Sequence, residues 1–170
     1  FPAVIPKAKI DSFTVYYSGH PIQATRAPWD GGFDWKKDSN GKPFVATACQ
    51  GLGASVWWPN KDHQSDEVDS MLISVAVPQD LINVSNGRLI KTEQLKNGYK
   101  KFHWKVSNPI NNYNIALNIG DYINWNEVYI GEKGNLDLSY YILREHNTKE
   151  KRAHLSKNVT ETLEAFEHWF

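Results

Sequence analysis

The chain has 170 residues, enough for one domain with a buried core and too few for two. Its 19 lysines and arginines balance 19 aspartates and glutamates, so it lacks the positive field with which nucleic-acid and anionic-membrane binders capture their partners. Hydrophobic residues at 41% and aromatics at 13%, with seven Trp and eight Tyr, describe a packed globular body and exclude disorder.

The chain begins with Phe rather than Met, which points to a processed or excised chain. It opens without a charged-then-apolar leader, and no apolar run is long enough for a transmembrane segment. Phe13, Val15 and Tyr17 have the period of two that predicts a first strand. The stretch RAPWDGGFDWKKDSNGKP, residues 26–43, carries the turn pairs Gly31-Gly32 and Asn40-Gly41 and is expected to form a long aromatic loop. Next, TACQGLGASVWWPNKDHQSDE, residues 47–67, sets the only cysteine beside small residues, two tryptophans, a proline and an acidic cluster. Met71, Ile73, Val75 and Val77 predict a strand ended by Pro78. Phe102, Trp104 and Val106 alternate with Lys101, His103 and Lys105. Ile115, Leu117 and Ile119 follow, and Leu136, Leu138, Tyr140 and Ile142 close the series. Asn86-Gly87, Asn97-Gly98, Asn108-Pro109, Gly131 and Gly134-Asn135 supply reversals between these runs, at a spacing that suits an all-β, antiparallel β-sandwich.

The period then changes. Leu155, Val159, Leu163, Phe166 and Phe170 recur at intervals of three or four and predict one C-terminal α-helix. Asn158 with Glu161 reads as an Asn-led capping box, placing the helix start near Val159. Neither glycine nor proline follows, so the helix reads as interrupted by the end of the chain.

Chemistry-bearing patterns are sparse. His20, His63, His103, His146, His154 and His168 form no HExxH, and Cys49 has no CxxC partner, so no metal ligand set and no catalytic residue is assigned. Asp62, Asp66, Glu67 and Asp69 lack the EF-hand spacing and read as a solvated turn. Serine and glycine settings fit neither a nucleophile elbow nor a phosphate cradle. A lone cysteine forms no internal disulfide, so its presence suits a cytoplasmic compartment and a periplasmic or extracellular one alike. Asn83-Val84-Ser85 and Asn158-Val159-Thr160 are glycosylation sequons. Trp29, Phe33, Trp35, Trp57 and Trp58 admit a stand-alone binding module, most plausibly for carbohydrate stacked on flat rings; the bland alternative has them filling the core and a covering loop.

The segment TACQGLGASVWWPNKD resembles one in the amino-terminal β-domain of the aminopeptidase N family of zinc metallopeptidases: Gln-Cys-Gln/Glu, then a hydrophobic pair, Pro and a nearby Asp. Cys49-Gln50, Trp57-Trp58-Pro59 and Asp62 take those places, while Asn60 and His63 depart from the pattern. MLISVAVPQDLINVSNGRL is similar to the family's strand with a Val-Pro-x-x-Leu step. NPINNYNIALNIGDY is similar to its P-x-x-x-Y-x-x-A-L-x-x-G-x-Y strand through Pro109, Tyr113, Ala116, Leu117, Gly120 and Tyr122. VTETLEAFEHWF resembles the helix that opens the catalytic domain.

The resemblance implies a β-sandwich domain over residues 1–153, incomplete at its start, and the first helix of a truncated catalytic domain over 154–170. It implies that Gln50 helps hold the free amino group of a peptide substrate, while Cys49, Trp57, Trp58, Pro59 and Asp62 serve as scaffold and domain interface. The partner is the catalytic domain of the same polypeptide, where zinc activates the attacking water. The segment alone is expected to be inactive. A chain that has lost catalysis and acts through protein contacts is a third reading.

Overall fold

The computed structural model describes residues 11–170. The strands are β1 (Gly32–Lys37), β2 (Pro43–Ala48), β3 (Glu67–Val68), β4 (Met71–Pro78), β5 (Ile82–Ser85), β6 (Arg88–Gln94), β7 (Tyr99–Val106), β8 (Ile110–Asn111), β9 (Leu117–Gly120), β10 (Tyr122–Gly131) and β11 (Gly134–Leu143). Among the described residues there is one α-helix, α1 (Lys149–Trp169), at the C-terminal end. A four-stranded sheet runs β1-β2-β9-β5, a three-stranded one β4-β7-β6, and β10-β11 and β3-β8 form two pairs. Every strand pair is antiparallel, giving the expected all-β, sandwich-like architecture with a C-terminal helix.

Alternation explains the core. In β4, Ile73 and Val77 turn inward while Leu72 and Ser74 face out. They join Leu81, Phe102, Trp104, Val106, Ile115 and Leu117 in one buried cluster that receives residues from both larger sheets. The single wide ring of Trp104 also needs a polar partner for its N–H: it donates to Asn83 Oδ1 at 3.1 Å. Asn83 is completely buried, so its sequon lies inside the folded domain.

A second buried polar group joins distant parts of the chain. Asp121, 3% exposed, accepts from Lys42 Nζ at 2.8 Å and from Arg144 Nε at 3.1 Å. Burial works to raise its carboxyl, but the hydrogen bonds and charges of Lys42 and Arg144 outweigh that and hold it below the ordinary carboxylate range.

Three expectations are corrected. Residues 13–17 form no strand, and Phe13, Val15 and Tyr17 are exposed; among the described residues the pairing nearest them is the Gln23–Phe33 bridge. Residues 26–43 are not one loop, because Gly32 to Lys37 pair with Pro43 to Ala48. Asp38 shapes that hairpin: its Oδ1 accepts from the backbone N–H of Asn40 and of Lys42. The helix starts at Lys149, ten residues before Val159, with Thr148 Oγ1 accepting from Lys151 N at 3.3 Å. Asn158 therefore lies in its middle, bonded to His154, and the expected 153/154 boundary falls within α1.

Candidate functional site

Gln50 lies two residues past the end of β2 and is exposed, whereas its neighbour Cys49, next to the strand end, is buried. Burial pushes the Cys49 thiol up and the Asp62 charge adds to this, while the Trp57 indole works against them, so the thiol is a poor nucleophile. The chain then reverses, with Gly53 N–H donating to the Cys49 carbonyl at 2.8 Å. Gly53 adopts φ 78° and ψ 176°, a conformation open essentially to glycine. A Cβ there would also overlap the Asp62 carboxylate, so the run of small residues does permit a close approach.

Asp62 latches this turn. It accepts from Ser55 Oγ at 2.7 Å, from Ser55 N at 3.2 Å and from Ala54 N at 3.3 Å. Those donors, the Ser55 hydroxyl foremost, hold its carboxyl below the usual range. Between latch and turn lie Trp57 and Trp58, half-buried and packed against the core cluster, and exposed Pro59.

The second wall is the short turn Asn112–Asn114. Asn111 Oδ1 accepts from Tyr113 N at 2.9 Å, and Asn112, 2% exposed, donates from Nδ2 to the Lys61 carbonyl at 3.1 Å. This brings the Tyr113 hydroxyl to Gln50, where it donates to Oε1 at 2.7 Å. A glutamine carbonyl has two lone pairs and its amide nitrogen two donors, so the pair leaves polar capacity facing solvent.

The structure thus brings Gln50 into contact with Tyr113 and gathers Cys49, Trp57 and Asp62 behind it. Neither Tyr113 nor the asparagines that carry it had been read as site residues. The available signal was the run Asn111-Asn112-Tyr113-Asn114, whose asparagines favour a turn and side-chain capping over a strand.

The five rings considered as a sugar platform divide. Phe33 and Trp35 stack at 5.5 Å and 19°, Trp57 meets Phe33 edge-on at 6.3 Å, and Trp57 and Trp58 pack inward; Trp29 and Trp35 are exposed. Tyr17, His20, Phe33, Trp57, Trp58 and Pro59 contribute to a neighbouring open cavity of about 550 Å³. Among the described residues, no group of three or more His, Cys, Asp or Glu side chains could hold a metal ion. They therefore do not fit a zinc centre. No helix among the described residues is long and apolar enough to cross a membrane.

No protein-family model and no curated protein matches the chain. Solved structures do. A two-domain M1 zinc metallopeptidase E323A mutant bound to L-tryptophan is similar over 80% of this chain and 29% of its own, with a TM-score of 0.55 and 18% identity. An M1 zinc metallopeptidase mutant from Deinococcus radiodurans bound to a Tyr-Ser-Ala substrate is similar over 68% and 28%, at TM-score 0.53 and 16% identity. Legionella pneumophila aminopeptidase A, in complex with aspartic acid, is similar over 68% and 13%, at TM-score 0.52 and 20% identity. The chain shares its fold with part of these zinc metallopeptidases and spans under a third of their length.

Proposed function

We propose that this chain is the amino-terminal β-domain segment of a zinc-dependent aminopeptidase, with α1 as the helix that opens the catalytic domain. The observation that carries the reading is the fold shared with M1 zinc metallopeptidases over 65–80% of the chain. The order of motifs in the sequence supports it independently.

In this reading Gln50 anchors the amino terminus of a peptide. The ammonium group donates to the lone pair of Oε1 that Tyr113 leaves open, and carboxylates of the catalytic domain supply the opposing charge. Cys49, Trp57, Trp58, Pro59 and Asp62 set the position of that amide and pack the interface. Zinc, held by residues outside this chain, would supply activation of the attacking water.

The test uses the full polypeptide from which the segment comes. It is expected to release amino-terminal residues from aminoacyl-chromogenic substrates, and a chelator is expected to abolish that release. This chain alone is expected to be silent in the same assay, with a melting temperature indifferent to chelator. Chelator-insensitive release, or none from the intact polypeptide, refutes the aminopeptidase assignment.

A further inference from the structure

The amide of a surface glutamine turns freely: its terminal torsion is broad, and its oxygen and nitrogen ends differ little in shape. An anchor for an ammonium group has to present oxygen, not nitrogen. At Gln50 the one side chain among the described residues hydrogen-bonded to Oε1 is Tyr113, at 2.7 Å.

Both partners are rigidly mounted. Gln50 is one residue from buried Cys49, and its own carbonyl packs against Gly31, where any side chain would intrude. Tyr113 sits on a turn tied down at each end. Asn111 caps its N–H, and Asn112 is bonded to Lys61. Asn86 donates to the Asn114 carbonyl at 2.9 Å and accepts from Ala116 N at 2.8 Å, and Ile115 is buried. Lys61 adjoins Asp62, which latches the far side of the Gln50 turn. The turns that carry the two side chains are thus parts of one braced unit, which brings the hydroxyl within reach of the amide.

We propose that Tyr113 is a positioning residue for Gln50: its hydroxyl holds the amide oxygen in place before substrate arrives, so that the rotational freedom of Gln50 is lost on folding and not on binding. Tyr113 itself need not touch the peptide. The inference rests on the reading of Gln50 as the amino-terminal anchor.

The experiment is a double-mutant cycle in the full polypeptide, with KM and kcat measured separately on a free-amino dipeptide substrate. Tyr113→Phe keeps the ring and removes only the hydroxyl. It is expected to raise KM about three- to tenfold with kcat nearly unchanged, the size of one modest hydrogen bond. In a Gln50→Ala background the same substitution is expected to have no further effect, because there is no amide left to orient. A purely structural role would instead lower the melting temperature and add to Gln50→Ala. The proposal is overturned, with the anchor reading intact, if Gln50→Ala raises KM while Tyr113→Phe leaves it unchanged or acts additively. If Gln50→Ala itself leaves KM unchanged, the anchor reading falls and the positioning role falls with it.

Discussion

Gly53 is the residue on which the candidate site is most exposed to a single change. Its backbone angles are those of glycine alone, and the space a Cβ would need is taken by the Asp62 carboxylate. Gly53→Ala is therefore expected to destabilise the chain by about 2–3 kcal/mol, measured by denaturant unfolding. An unchanged midpoint would mean that the turn relaxes without cost. The small-residue character of this run was legible from sequence, since glycines next to bulky tryptophans mark a close approach. What was not legible was its counterpart: Asp62 read equally well as part of a solvated acidic turn. Only the fold turns its carboxylate back onto Ala54 and Ser55. Gln50 itself was singled out by the resemblance, but its hydrogen bond to a tyrosine hydroxyl 63 positions away is visible only in the fold.

At the scale of elements, strands 71–78 and 99–106 follow the alternation that predicted them, because each buries one face, whereas in strand 134–143 only Tyr140 of the predicted face is buried and Leu136 is exposed. The first hairpin escaped detection because β1, GFDWKK, alternates weakly and its polar turn merges with its ends. The start of α1 escaped because its first turns, Lys149 to His154, are rich in charge, whereas Asn158 and Glu161 imitate a cap. α1 lies along the β10–β11 hairpin through specific contacts. Arg152 stacks over Trp125 at 4.9 Å, and Ser156 donates to Glu127 at 2.6 Å. At the tip, Tyr129 donates to Glu167 Oε2 at 2.6 Å, and Glu132 N donates to Oε1 at 2.9 Å. The Tyr129 hydrogen bond to Glu167 pushes its phenol up to about 12. A raised phenol stabilises the fold below its unfolded value near 10 and loses that contribution as pH rises through about 12. Ultraviolet titration of the unsubstituted chain and of Glu167→Gln should differ by one tyrosine, which ionises late in the first and nearer 10 in the second. Identical titrations of the two chains would show that Glu167 does not hold the Tyr129 hydroxyl and that the helix end is not docked there.

For the whole molecule, Asp121 is the joint that matters, since Lys42 precedes β2, Asp121 lies between β9 and β10, and Arg144 follows β11. Replacing it with Ala is expected to cost about 2–3 kcal/mol, less than breaking a fully buried pair, because Lys42 and Arg144 keep solvent contact. Its carboxyl is depressed in the folded state, so its contribution is complete above the ordinary carboxylate pKa and is lost as pH falls through the depressed one. Acid titration of stability should therefore be flatter in Asp121→Asn than in the unsubstituted chain at the acid end; parallel curves would remove Asp121 from the acid response. No pattern in the sequence announced this joint. Single charges carry no periodicity, and its three members are far apart along the chain.

That distance has a consequence in chain entropy. Asp121 closes a span of 79 residues with Lys42 but only 23 with Arg144. Loop closure grows with the logarithm of length, so the longer span costs about 1 kcal/mol more to shut. On that ground the Lys42 contact is expected to open before the Arg144 contact in local unfolding, with amide exchange faster in the first hairpin than in the β10–β11 ribbon.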